Sequence, residues 1–232
     1  MDKKEVQQCY KEAENHLVNE LLPFWTSRMI DRKHGGYITH FDEEGHDTGE
    51  DEKSLIAQAR SLYTLSSAHR AGYGEGKFEA LARHGIDFLI DKMWDDKHGG
   101  FYWMTDRAGN IKMDDKVLYG QSFAIYSLCE YTLATGDRRG IEYAEKTFEL
   151  IQTNCTDTYY GGYFEMFNRD WSLAGPGSGG GDRKTLDVHM HLMEAYTTLY
   201  EILRVSTTLG GILDFEMVTR QIIEVFKTFA GA

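Results

Sequence analysis

Apolar positions recur at helical spacing through most of this chain. In residues 78–94, FEALARHGIDFLIDKMW, the positions Phe78, Leu81, Ala82, Gly85, Phe88, Leu89 and Met93 share one side, which predicts a helix with one buried face. Residues 116–135 differ, because Leu118, Phe123, Ala124, Ile125, Leu128 and Cys129 run nearly all the way round. A helix apolar on most sides is packed on most sides. The same reading predicts helices over 4–29, 53–71, 140–155, 183–205 and 214–229. Short alternating stretches lie between them (Tyr37, Thr39, Phe41; Phe101, Trp103, Thr105) and predict small β-hairpins. The expected fold is all-α, a row of αα-hairpins with short β-hairpins between helices.

The pattern repeats. Three segments begin alike: DRKHGGYITHFDEEG at Asp31, DDKHGGFYWMTDRAG at Asp95 and DTYYGGYFEMFNRDW at Asp157. Their Gly-Gly pairs start at Gly35, Gly99 and Gly161, 64 and then 62 residues apart. A lysine follows each one and opens the next helical stretch: Lys53, Lys116 and Lys184. Self-similarity at a fixed period means one supersecondary unit used several times. One inner and one outer helix per unit describes an array that spirals as a solenoid or closes as a toroid. The helix over 4–29 would be an outer one without its inner partner. A closed ring of six such hairpins would need far more chain than 232 residues, so we expect a single incomplete toroid domain over 1–232.

Aligning the units on their lysines sets Ile56, Tyr119 and Asp187 in one column. The next columns hold Gln58, Gln121 and His189, then Arg60, Phe123 and His191, then Tyr63, Tyr126 and Glu194. The first and third columns lie one turn apart on the same face. That face offers Arg60, Tyr119, Asp187 and His191: a fixed cation, a phenol, an acid and an imidazole. Such groups suit a hydroxyl-rich ligand. Each also has a plain structural alternative, ion pairing for Arg60 and packing for Tyr119. His189 lies about 200° around the helix from His191 and is expected to be a packed, hydrogen-bonded residue.

Charge narrows the partner. With 37 acidic against 25 basic residues the formal net charge is −12, which disfavours nucleic acid and anionic membrane and suits a neutral small molecule. Cys9, Cys129 and Cys155 are odd in number and widely spaced, as expected of free thiols in a reducing compartment. Neither a secretory h-region nor a long apolar run occurs, so a cytoplasmic protein is expected.

Other chemistries fit less well. GPGSGGGDRKT, residues 175–185, has Arg183 where a phosphate loop needs glycine before Lys-Thr; it is expected to be a loop over the site, with Asp182 as helix cap. His189 and His191 diverge on a helix, and His191 with Glu194 alone is a weak pattern, so no metal and no cofactor are expected. A glycosidase is a second alternative, but Asp187 and Glu194 stand about 10 Å apart along the helix, too far for a retaining pair.

The motifs DDKHGGFYWMTD, KVLYGQSFAIYSLCEY, YGGYFEMFNRDW and KTLDVHMHLMEAYTTLYE closely resemble the N-acylglucosamine 2-epimerase family, which includes cellobiose 2-epimerases and mannose 2-epimerases or isomerases. The resemblance covers about residues 21–203. It implies an (α/α)6 barrel, and a reaction that removes and returns the proton at C2 of an aldose. Arg60 is similar to the family's sugar-binding arginine, Tyr119 to its tyrosine, and His191 to the second histidine of its HxH stretch. Asp187 stands where cellobiose-acting members usually have Asn, which leaves a monosaccharide or an N-acylated hexosamine at least as fitting. The resemblance also places the family's two proton-transferring histidines outside this chain, since nothing after Glu201 matches their motifs. The expectation is therefore a catalytically incomplete epimerase. The alternative is a non-catalytic sugar- or partner-binding half-toroid whose open inner face a homo-oligomer covers.

Overall fold

The computed structural model describes residues 2–176, 180–206, 220, 222 and 223. Helix α1 (Lys3–His16) runs through a π-helical turn (Leu17–Leu21) into α2 (Leu22–Arg28). Then follow α3 (Leu55–Arg70), α4 (Lys77–Phe88) with a second π turn (Leu89–Met93), α5 (Leu118–Thr135), α6 (Arg139–Asn154) and α7 (Leu186–Ser206). Helices α3, α5 and α7 lie side by side, with α4 packed behind α3 and α6 behind α5. Helix α5 is therefore enclosed by neighbours, and residues from Gly120 to Ile125 are all buried. The helix expected over 214–229 falls outside the described residues except for Arg220, Ile222 and Ile223, which are helical.

Each helix of the front row starts two residues after its lysine, later than the sequence pattern suggested. Lys53–Ser54 (β1) and Lys116–Val117 (β4) are extended, and Lys184 also precedes its helix. The reason is that the lysine reaches back into its own unit. Lys53 Nζ lies 2.8 Å from Asp31 Oδ2 and donates to the Gly35 carbonyl at 2.6 Å. Lys116 Nζ lies 3.1 Å from Asp95 Oδ2 and donates to the Gly100 carbonyl at 3.2 Å. Lys184 pairs with Asp157 and donates to the Gly161 carbonyl. In each unit the other aspartate oxygen accepts two backbone N–H groups of the turn, at Lys33 and His34, Lys97 and His98, and Tyr159 and Tyr160. In the first two units burial of both charges is tolerated because every polar atom is used.

A second tie sits one turn into each front helix. The Tyr37 N–H donates to Gln58 Oε1 at 2.8 Å, and Gln58 Nε2 donates back to the Tyr37 carbonyl at 2.7 Å. Gln121 makes the same pair with Phe101, at 3.0 and 2.7 Å. Space beside these ties is short: a Cβ at Gly36 (φ +65°) would meet Gln58 Oε1 at 2.6 Å, and one at Gly100 (φ +73°) would meet Trp171 at 2.4 Å. Both glycines are thus required by conformation and by packing.

The strands join units as well as build hairpins. β1 pairs antiparallel with β2 (Met104–Thr105) of the next unit, which pairs with β3 (Ile111–Met113); β4 pairs with β5 (Met166–Phe167) of the unit after. In the first unit the expected hairpin is reduced to two isolated bridges, Ile30 to Tyr37 and Phe41 to Asp47. The helix cap expected of Asp182 is filled instead by Thr185, directly before α7, whose Oγ1 accepts from the Val188 N–H at 3.5 Å. Cys9, Cys129 and Cys155 are free.

Truncating the ties tests their weight by urea unfolding. Gln121→Leu leaves a buried N–H and C=O unpaired and should lower stability by about 1–3 kcal/mol per group. Lys116→Met leaves Asp95 with Arg169 as its cationic partner and should cost about 3 kcal/mol. The exposed Arg60→Ala should stay within about 0.5 kcal/mol of the parent.

Candidate functional site

The ties fix how each front helix is rotated, and so what its other face presents. Gln58, Gln121 and His189 point back at their turns, and the residue two positions later is rotated about 200°. That residue is Arg60, Phe123 and His191 in turn. The three meet: the Arg60 guanidinium carbon lies 5.3 Å from the Phe123 ring centre, and the Phe123 and His191 rings are 4.5 Å apart. Tyr119, one turn earlier on α5, packs edge-on against both, 5.1 Å from each ring. Asp187 closes the set with Oδ1 at 3.5 Å from His191 Nε2. All four sequence-predicted residues therefore gather in one cluster, and Phe123 is the ring that joins them. Phe123 was outside the expected set; the signal for it was its column, shared with Arg60 and His191.

Electrostatically the cluster holds one permanent cation and two acids on a single imidazole. His191 Nδ1 lies 2.9 Å from Glu194 Oε2, opposite Asp187. The two carboxylates converge on His191 instead of facing each other across a gap, which is not the arrangement of a glycosidase pair. Deeper along the helices Tyr63 and Tyr126 stack, 4.0 Å between centres and 16° apart. Burial and the neighbouring Tyr63 push the Tyr126 hydroxyl well above its ordinary pKa. Beside Arg60 a cleft of about 470 Å³ opens between α3 and α2 with its preceding π turn, lined by Leu21, Trp25, Met29, Phe41, Ser61 and Thr64 among others. It supplies apolar and aromatic surface next to a fixed donor.

His189 is a structural residue. The Tyr163 N–H donates to its Nε2 at 3.0 Å, so its proton sits on Nδ1, which lies 2.8 Å from the Thr185 carbonyl. It does in the third unit half of what Gln58 and Gln121 do in the others, and burial lowers its pKa. A different group, Asp42, Glu44 and His46, brings ligand-type atoms within 4.8 Å of one another. All three are exposed, and Asp42 already accepts from the Glu44 and His46 backbone.

Residues 36–209 match the sequence signature of the N-acylglucosamine 2-epimerase (GlcNAc 2-epimerase) family. The chain belongs to this family. It is 33% identical over 202 residues to the cellobiose 2-epimerase of Bacteroides fragilis, covering 83% of this chain and 50% of that one. It is 23% identical over 185 residues to the D-mannose isomerase of Marinomonas mediterranea, covering 79% and 44%. The solved cellobiose 2-epimerase of Spirochaeta thermophila superposes with a TM-score of 0.83 at 30% identity, over 97% of this chain and 55% of that one. This chain thus spans about half the length of the curated relatives it matches. These epimerases have (α/α)6 barrels, and this chain is mostly helical like them. A family 76 mannosidase from Bacteroides thetaiotaomicron superposes with a TM-score of 0.67 at 14% identity, a likeness of fold alone. No helix among the described residues is long and apolar enough to cross a membrane.

If His189 is a tie and not a reacting group, His189→Gln should fold within about 1 kcal/mol of the parent, since glutamine fills that place twice already, whereas His189→Ala should cost ~2 kcal/mol. The lowered pKa sets a sign for pH. The unfolded chain binds this proton more readily than the folded one, so stability falls as pH drops below about 6.5. That slope should be shallower in His189→Gln, as read by urea unfolding at stepped pH.

Proposed function

We propose that this chain is part of a sugar epimerase or isomerase acting at C2 of an aldose or N-acylhexosamine, and that it forms one incomplete (α/α)6 domain carrying the sugar-binding wall. The observation that carries this reading is the convergence of Arg60, Tyr119, Asp187 and His191 around Phe123 in a member of this family. A carbonyl at C1 acidifies the C2 proton, and its removal puts negative charge on O1. A guanidinium is charged at every working pH and suits an oxygen that gains charge. Asp187, Tyr119 and His191 offer an acceptor and two reversible donors for ring or chain hydroxyls, with Phe123 as an apolar platform.

The proton must be taken from one face of C2 and returned to the other, which needs two groups that titrate near neutrality. His189 is engaged in the fold, and His191 is held between two carboxylates. We assign binding to the residues named; the family resemblance implies that the acid/base histidines are others than these two and lie outside this chain. The relatives are named for cellobiose and mannose. An acid at 187 in place of an amide favours a sugar that presents a hydroxyl donor there, so mannose, glucose and N-acylglucosamine stand beside cellobiose as substrates to try.

Titration calorimetry with these four sugars should show saturable binding to at least one, weakened about tenfold or more by Arg60→Ala and by His191→Ala. Unchanged affinity in both variants would overturn the assignment. Incubation in heavy water should give C2 deuterium incorporation far slower with this chain than with the Bacteroides fragilis relative; incorporation at equal rates would show that the acid/base groups are here.

A further inference from the structure

The column that stacks as Tyr63 on Tyr126 holds an acid in the third unit, Glu194. This acid turns to its own helix: Glu194 Oε2 lies 2.9 Å from His191 Nδ1, three residues earlier. Asp187, four residues before His191, stands at the other nitrogen, with Oδ1 3.5 Å from Nε2. The two contacts are unequal. A charge-assisted N–H···O bond closes to about 2.7–2.9 Å, so the Glu194 contact has the length of one and the Asp187 contact does not.

Pairs at this spacing are common on exposed helices and contribute little there. His16 with Glu20 and His46 with Asp42 are of that kind, their imidazole side chains 56% and 76% exposed. The His191 side chain is 20% exposed. Phe123 packs on its ring at 4.5 Å and Tyr119 meets it edge-on at 5.1 Å, so the imidazole is held in place and the partner of one nitrogen decides what the other offers. A neutral imidazole carries one N–H. With that proton on Nδ1 toward Glu194, Nε2 keeps its lone pair on the side of Asp187, and two acceptors stand side by side. Asp187 is 61% exposed, so a ligand can reach the pair.

We propose that Glu194 is a positioning residue: it holds the His191 proton on Nδ1, so that Nε2 and Asp187 Oδ1 together accept from two hydroxyls on adjacent carbons of the sugar. This deepens the binding reading given above and rests on it. Adjacent hydroxyls suit the pair because each has a proton to donate, whereas a lone hydroxyl has one proton for two acceptors. Glu194 itself need not touch the sugar; its place on the far nitrogen sets the sense of the near one.

The first readout needs no sugar. In chain labelled with ¹⁵N-histidine at about pH 8, above the ordinary histidine range, long-range proton–nitrogen spectra should show His191 with a protonated Nδ1 and a bare Nε2. Glu194→Gln, whose amide oxygen still accepts, should keep that pattern, and Glu194→Ala should move the proton to Nε2, toward Asp187. Both variants should melt with the parent, since the Glu194 side chain is 56% exposed. The second readout is calorimetry with D-glucose, D-mannose and the monodeoxyglucoses. Affinity should fall about tenfold on loss of either hydroxyl of one adjacent pair and in Glu194→Ala, and stay within about twofold in Glu194→Gln. A bare Nδ1, a ring protonated on both nitrogens at that pH, or an unchanged spectrum in Glu194→Ala would overturn the proposal. Sugar binding that is lost in Arg60→Ala but indifferent to Glu194→Ala and to every deoxy position would overturn it too, and would leave the binding reading standing. If neither sugar binds the parent chain, the binding reading fails and the role in accepting hydroxyls fails with it.

Discussion

The buried ion pair between the aspartate that opens each turn and the lysine that precedes each front helix is the constraint on which the rest depends. Taking both charges out of water is expensive, and such pairs add little net stability once desolvation is counted. What they decide is register. Asp95 is surrounded by two backbone N–H groups, Lys116 and Arg169. Burial works to raise its pKa, yet the two cations hold it far below the carboxylate range, while burial pushes Lys116 down to about 8. A slip of one residue would leave these charges without partners, so only one seating of turn against helix is open to the chain.

That seating has a consequence at a distance. Once the lysine is placed, the residue five positions on must meet the turn backbone, and it is Gln58, Gln121 or His189. The opposite side of each helix is then fixed without any further contact. Arg60, Phe123 and His191 come into a row because the scaffold repeats, and their chemistry differs because nothing in the scaffold uses them. The candidate site is thus a by-product of a structural repeat whose corresponding column holds a different residue in each unit. A guanidinium, an aromatic ring and an imidazole held by three rigid helices are better placed for ligand recognition than the same groups on loops.

The three units are alike in backbone and differ in how dry their charged pairs are. The charged pairs of the first two units are dry, and a turn of the following unit touches each, through the Arg107 carbonyl on Lys53 and the Arg169 guanidinium on Asp95. At the third unit the pair is partly wet and aromatic surface stands exposed, while α1 buries none of its residues. In repeat architectures each unit contacts mainly its neighbours, so a difference between units is felt locally and not throughout the fold.

The helices, the period of about one αα-hairpin and the shared face of Arg60, Tyr119, Asp187 and His191 were legible in the sequence, because helical spacing and a repeating Gly-Gly mark depend on local chemistry alone. The helix starts were not: a lysine reads as a good helix former until the aspartate 21 to 27 residues earlier is seen to need it. The separation of His189 from His191 was also readable, since it follows from helix geometry. What His189 does was not, since its partner, the Tyr163 N–H, lies 26 residues away in sequence. Phe123 as the centre of the cluster and the contact of the first two charged pairs with the following unit were decided only by tertiary structure. Both depend on which side chains from separate helices and turns come within contact distance, and periodicity along one segment carries no information about that.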